Sequence, residues 1–288
     1  MSGLVSKVFI SASAMGLGAL VAAPALAGSL TNPSFVDPSQ PYLIYEADGS
    51  STVLNNSADL SQVLQGDVSN PGGNVELSGQ LGDANAADPI TATTLQGTLD
   101  GQNILISSLT QSDWLSDGFV DRWFSEAWNN TETGVQAWLK AKLNNPFLNE
   151  SFAKTLFTSF GLYNRFSDPN VNYATRDNNG DVFVGLAGHL NYTEMINGVN
   201  YSLKLSEVVK VEYNGESKLL YAMGQALDSG LVNDKGEGAD GTSHSGLYNL
   251  HWGNAPDTAA VPEPSTMLGL MAIGSLFGVT KRKFSSNA

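Results

Sequence analysis

Few residues of this chain combine types and spacings that do chemistry. Asp177-Asn178-Asn179-Gly180-Asp181 sets side-chain oxygens at alternate positions, as the opening of a calcium loop does. Its glycine comes fourth rather than sixth, and the twelfth residue is Gly188 rather than the glutamate that would close the coordination. A hairpin turn accounts for the same string. Asp234, Glu237 and Asp240, three apart in the loop 233–240, could hold calcium weakly, but a solvated acidic loop accounts for them better. The histidines are His189, His244 and His251, and none falls in an H-x-x-x-H or H-E-x-x-H pair, so a zinc protease is not supported. Ser243 and Ser245 flank His244, but residues adjacent along a chain seldom make a nucleophile–base pair, and no G-x-S-x-G elbow is present. No glycine-rich phosphate loop leads from a strand into a helix. A glycoside hydrolase needs only two carboxylates, and nothing marks one pair among the many here. The reading is therefore no catalytic residue, no metal site and no cofactor.

Aromatic residues are the other candidates. Trp114, Trp123, Trp128 and Trp138 fall in one stretch of the chain. Exposed tryptophans can stack on sugar rings, whereas buried ones build cores because each covers a large apolar area. Their helical spacing points to a core. Trp128, at a helix end beside Asn129-Asn130, is the member expected to be exposed, and so is the possible glycan contact.

The elements that must position these residues follow from periodicity. Residues 28–110 are rich in Gly, Ser, Thr, Asn and Asp, with short apolar runs at 42–45, 74–77, 94–99 and 103–106 that read as strands. Asp100-Gly101 fits a tight turn between the last two. Residues 59–64 suit a turn or two of helix capped by Ser57. From 112 to 166 the period lengthens: Phe119, Trp123 and Ala127 lie four apart, with Val120, Phe124 and Trp128 beside them. A second helix is expected after the cap Thr133, carrying Val135, Trp138, Leu139 and Leu143 and ending at Asn144-Asn145-Pro146. A third is expected after the cap Asn149, with Phe152, Leu156, Phe157 and Phe160 facing inward and Gly161 as terminator. Strands then resume at 172–176 and 181–186 around Asn179-Gly180, at 207–213 and 216–223 around Asn214-Gly215, and at 247–252. Val209, Val211 and Tyr213 alternate as a strand with one buried face requires. Strands, helices, strands in that order predict an α+β fold: an antiparallel β-rich domain over 28–260, with an inserted aromatic-rich helical segment at about 112–166 that packs on or caps the sheet. A division into two domains near residue 110 is the alternative.

Composition narrows the partners. Of 28 acidic and 14 basic residues, Glu263 and Lys7, Lys281, Arg282 and Lys283 lie in the end segments, leaving 27 and 10 in residues 28–260 and a net charge of −17. Such a surface repels phosphates and anionic membranes, so nucleic acid is excluded as a partner. Cysteine is absent, which removes disulfides, thiolate catalysis and thiolate metal sites, and stability must come from packing.

The two ends read as addresses. Residues 1–27 carry Lys7, an apolar run from Val8 to Val21 and small residues at Ala25 and Ala27, the pattern of a secretory signal peptide cleaved after Ala27. Residues 261–288 have three parts: the rigid Pro262-Glu263-Pro264, an uncharged apolar stretch at 265–280, and the basic cluster Lys281-Arg282-Lys283. The prolines keep a helix from growing backwards. The apolar stretch suits a transmembrane helix, and the basic cluster stays on the cytoplasmic side as its stop. Sixteen residues at about 1.5 Å each reach roughly 24 Å, short of a hydrocarbon core about 30 Å thick, so a transient stay suits it better than a permanent anchor.

This order of parts resembles the PEP-CTERM sorting signal of bacterial surface proteins. The resemblance implies recognition and cleavage of the tail by an exosortase, a membrane enzyme for which this chain is a substrate. Further strings, RFSDPNV at 165–171, VGLAGH at 184–189, SEVVKVEYNG at 206–215 and DGTSHSG at 240–246, resemble a cyanobacterial family of PEP-CTERM proteins, and that likeness brings no activity with it. The expectation is an exported, cell-surface or extracellular-matrix protein, non-enzymatic. Its partners would be the export machinery, an exosortase and, transiently, the membrane. A carbohydrate-binding module for extracellular polysaccharide is the alternative, and a secreted glycan hydrolase the third reading.

Overall fold

A computed structural model describes residues 26–77, 91–130, 135–188, 193–202, 204–233 and 245–252. The chain first lays down β1 (Leu26–Ser29), β2 (Thr31–Phe35), β3 (Tyr42–Asp48) and β4 (Ser51–Leu54), then the one-turn helix α1 (Leu60–Val63). Next come β5 (Gly66–Asp67), β6 (Asn70–Pro71), β7 (Gly73–Leu77), β8 (Thr94–Leu99) and β9 (Gln102–Ser107). Helices α2 (Gln111–Leu115), α3 (Phe119–Asn129), α4 (Val135–Lys142) and α5 (Glu150–Ser159) follow, closed by a 3-10 turn at Leu162–Phe166. Strands resume as β10 (Asn170–Asp177), β11 (Val182–Gly188), β12 (Thr193–Ile196), β13 (Val199–Ser202), β14 (Val209–Tyr213) and β15 (Glu216–Leu220). They end with β16 (Leu227–Asp228), β17 (Val232–Asn233) and β18 (Gly246–Trp252). The class is α+β: β-rich, with the longer helices gathered in one stretch.

Two main sheets form. The larger runs β16-β18-β11-β10-β7-β3-β4-β17, and β1 pairs with the part of β10 that β7 leaves open. The smaller runs β15-β14-β9-β8-β2. Among the described residues the ladders are antiparallel except β17 with β4. β7 pairs with β10, and β9 with β14, so strands from both sides of residue 110 are neighbours in each sheet. Ile44, Val75 and Val171 of the larger sheet share one apolar core with Leu95, Ile104, Val209 and Val211 of the smaller. Burying these side chains is the main stabilising term, about 25 cal/mol per Å² of apolar surface removed from water. The turns are those the sequence asks for: Asp100-Gly101 and Asn214-Gly215 both take positive φ, at 50° and 77° and at 52° and 79°, which matches the twist of the strands they join.

The helices build a second core against the outer face of the smaller sheet. Trp114, Phe119, Trp123, Phe124, Ala127, Trp128 and Phe157 are buried together with Val208, and Leu219 and Tyr221 pack on them. Lys210, on that outer face of β14, meets Asp113 of α2 at 3.2 Å. Helix starts follow the capping logic. Thr110 and Asp113 form a reciprocal capping box on α2, and the Asn149 side chain accepts from Phe152 N at 2.9 Å at the start of α5. Gly161, with φ of 62°, follows the end of α5.

Three expectations change. The cap of α1 is Asp59, which accepts from Ser61 N, rather than Ser57. Phe152 and Phe160 do not face inward: they are 51 % and 72 % exposed, because the buried stripe of α5 is Ala153 and Phe157, and Phe160 stands past its last turn. Leu143, just beyond α4, is exposed as well. The cap expected at Thr133 lies outside the described residues.

Candidate functional site

The sequence-predicted site residues scatter. Trp128 is not the exposed tryptophan. It is 6 % exposed on α3, 6.0 Å from the ring of Phe124, because its position continues the apolar stripe of Val120 and Phe124. Trp114 and Trp123 are buried with it, and the Nε1 of Trp114 donates to Ser167 Oγ at 2.8 Å. The exposed aromatic side chains of this segment are instead Phe147, at 91 %, with Phe152 and Phe160.

The string at 177–181 is a turn in which both carboxyl oxygens of Asp177 are already used. Asp177 accepts from the N–H groups of Asn179 and Asp181, each at 2.9 Å, and Asp177 N donates to Asp181 O at 2.9 Å across the hairpin. Burial opposes ionisation of Asp177, but those donors outweigh it and hold its carboxyl below the usual range. His251 Nε2 sits 3.4 Å from Asp181 Oδ2 on the neighbouring β18. Among the described residues, no group of three or more His, Cys, Asp or Glu side chains could hold a metal ion. His189, His244, Asp234, Glu237 and Asp240 lie outside the described residues, as do Ala25, Pro262, Glu263, Pro264, Lys281, Arg282 and Lys283. Ala27 lies in β1, so cleavage after it would leave Gly28 and Ser29 paired with Arg176 and Thr175.

A different set, unmarked by any motif, comes together at the start of β10. Asn170 lies directly opposite Glu76 of β7, and Tyr45 of β3 brings its hydroxyl to 3.5 Å from Glu76 Oε2. Asn170 donates twice to Glu207 Oε2, from its backbone N at 3.1 Å and from Nδ2 at 3.4 Å. Glu207 just precedes β14, and Asp168 just precedes β10, so the segments leading into the two sheets meet here. Two residues further along β10, Asn172 sends its Nδ2 to Gly73 O at 2.7 Å, next to Asn74.

Electrostatics set this cluster apart. Burial, then the charges of Asp168 and Glu76, push the Glu207 carboxyl well above the usual carboxylate range, against the two hydrogen bonds from Asn170. Glu207 is half-buried as a residue, while its carboxyl lies among protein atoms. The negative charge also reaches Tyr248, whose hydroxyl is pushed up by burial and by Glu207. The amides add to the excess of acceptors. Asn74, Asn170 and Asn172 are only 2–3 % exposed, and the Oδ1 of each has no hydrogen-bond partner. No spacing rule predicts this set, since its members come from three sequence regions that the sheets bring together.

Comparison with known proteins bears on the chain's end. Residues 260–283 match the family model of the PEP-CTERM protein-sorting motif. The chain thus carries this sorting signal, which implies an exported, membrane-associated precursor processed by an exosortase. No curated protein and no solved structure matches the chain. Among the described residues no helix is long and apolar enough to cross a membrane, and the stretch 265–280 lies outside them.

Proposed function

We propose that this protein is a non-enzymatic component of the cell surface or extracellular matrix, exported through its N-terminal signal and released from the membrane when an exosortase removes its tail. The observation that carries the reading is the sorting motif at residues 260–283. The acidic, cysteine-free domain supports it. Its net charge of −17 over residues 28–260 keeps it soluble outside the cell, and its stability rests on two apolar cores rather than on redox-sensitive bonds.

The test is made in a host with an active exosortase, on a chain tagged within the exposed hairpin turn at Asn214-Gly215. The exported protein is expected to lack Lys281-Arg282-Lys283 by mass spectrometry. Replacing Pro262, Glu263 and Pro264 together by alanine should keep the chain in the membrane fraction with its tail intact. Exported protein ending at Ala288 would overturn the processing reading.

A second reading, binding of extracellular polysaccharide, draws on the exposed Phe147, Phe152 and Phe160. Aromatic faces left in solvent can stack on sugar rings, so in this reading the contacts move from Trp128 to these phenylalanines. Calorimetric titration with the host's own polysaccharide decides between a binding module and a purely structural protein.

A further inference from the structure

We propose that the helical segment around α5 rests on the surface of a bilayer containing anionic phospholipid while the tail still holds the chain there. This goes beyond the reading above, because the folded domain, and not the tail alone, touches the membrane. Two independent observations fall on the same stretch of chain. The first is exposed apolar surface: Leu143, Phe147, Phe152, Phe160 and Leu162 all stand in solvent, and among the described residues no other phenylalanine is exposed. Phe152 and Phe160 end a row of residues four apart, with the half-buried Leu156 between them, beside the buried stripe of Ala153 and Phe157. Phe147 stands in the turn that leads into α5.

The second observation is charge. Residues 135–166 carry Lys140, Lys142, Lys154 and Arg165 against Glu150 alone, a net charge of +3. Residues 28–260 as a whole carry −17, so the rest of them carry −20. Lys154 is held by Asp121 at 2.7 Å, whereas Lys142 and Arg165 are exposed. An anionic surface repels the bulk of this domain and attracts this one stretch, which fixes the orientation in which the two meet.

Side-chain chemistry selects the occupant. Sugar recognition joins ring stacking to hydrogen bonds, and neither leucine nor phenylalanine carries a hydrogen-bonding group. Leu143 and Leu162 have no ring to stack. A bilayer interface takes phenylalanine and leucine alike into its acyl boundary. It also suits lysine and arginine beside them, whose apolar stems lie along that boundary while their charged heads meet lipid phosphate.

The tail supplies proximity. Residues 253–264 separate the end of β18 at Trp252 from the apolar stretch 265–280. Fully extended they reach about 40 Å, comparable with the width of about 45 Å of a compact domain of this size. While the stretch 265–280 is inserted, the contact forms within one tethered molecule, so a weak patch suffices. Stable anchoring takes two signals, and removal of the tail leaves one, so the patch lets go after processing. That release rests on the exosortase reading; the contact itself does not.

The experiment uses the full-length chain reconstituted in phospholipid vesicles, so its outcome does not depend on processing. The chain has no cysteine, so Phe147→Cys, Phe160→Cys and, as a control on the exposed end of β4 in the larger sheet, Leu54→Cys can each carry a single environment-sensitive fluorophore. In vesicles of equal phosphatidylcholine and phosphatidylglycerol, nitroxide-labelled lipid should quench the labels at positions 147 and 160 about twofold or more and leave the label at 54 unchanged. Lys142→Gln with Arg165→Gln, or salt raised to about 0.5 M, should remove about half of that quenching. Equal quenching at all three positions, or none at 147 and 160, would overturn the proposal. So would quenching that is as strong in pure phosphatidylcholine, since charge would then play no part. A label response at 147 and 160 to soluble polygalacturonate or dextran, without lipid quenching, would give the face to polysaccharide and overturn it too.

Discussion

The ring of Tyr173 occupies the space that a side chain on Gly185 would need. The two residues are directly paired across β10 and β11, and the Tyr173 hydroxyl passes over to β18, where it lies 3.0 Å from Asn249 Oδ1. A Cβ added to Gly185 would stand 2.6 Å from Cζ of that ring, with Cε1 nearer still. Glycine is thus the condition for a tyrosine to bridge three strands at the centre of the larger sheet.

Gly185→Ala is accordingly expected to destabilise the fold by about 1–3 kcal/mol, the usual cost of overpacking a filled interior. Urea unfolding at constant slope measures it. Tyr173→Ala combined with Gly185→Ala should cost less than the sum of the two single changes, because the clash disappears with the ring. Strict additivity would show that the ring can move aside.

The aromatic residues of the helical segment divide into two groups that respond differently. Trp123→Ala empties the middle of the second core, where its ring lies 5.4 Å from that of Phe157, and should cost about 3–5 kcal/mol. Trp128→Ala should also destabilise. Phe147→Ser and Phe160→Ser remove exposed rings and should change stability by no more than about 0.5 kcal/mol. Any loss of glycan affinity in the two serine variants, at unchanged unfolding free energy, isolates binding from folding.

Asp113 carries two jobs on one carboxyl. It closes the capping box with Thr110, accepting from Thr110 N at 2.8 Å, and it holds Lys210 at 3.2 Å across the helix–sheet contact. Burial opposes its ionisation, but the Thr110 bonds and the Lys210 charge outweigh burial and lower its pKa from 3.8. A lowered folded pKa means that the stabilisation is present above the unfolded value and is lost as pH falls through the folded one. Asp113→Asn should therefore lower the melting temperature at pH 7, by about 1 kcal/mol in free energy, while its difference from wild type shrinks below about pH 4. A constant difference down to pH 2 would assign the effect to packing.

Much of this architecture can be read locally. Asp100-Gly101 and Asn214-Gly215 announce their hairpins because few residues tolerate two successive positive φ values, and the four-residue spacing of Phe119, Trp123 and Ala127 announces a buried helix face. Position at a helix end suggests exposure for Trp128, yet it continues the four-residue stripe of Val120 and Phe124, while Phe152 lies one residue off the Ala153–Phe157 stripe and Phe160 lies past the end of α5. The acidic cluster escapes for a stronger reason. Glu76, Asn170 and Glu207 are far apart in sequence, and only the pairing of β7 with β10 and the approach of the segment before β14 bring them together.

Glu207 provides the sharpest use of pH. Its folded pKa is raised by burial, then by Asp168 and Glu76, and Tyr248 is the other titratable group that feels its charge. For a carboxyl shifted upward, stability is fully present below the unfolded value, 4.5 for this group, and is lost as pH rises towards the folded value. In thermal unfolding, wild type should become less stable than Glu207→Gln as pH climbs from about 4.5 to 8, because glutamine is neutral throughout and keeps an oxygen for the Asn170 N–H to meet; a difference that stays constant over that range would assign the effect to packing instead.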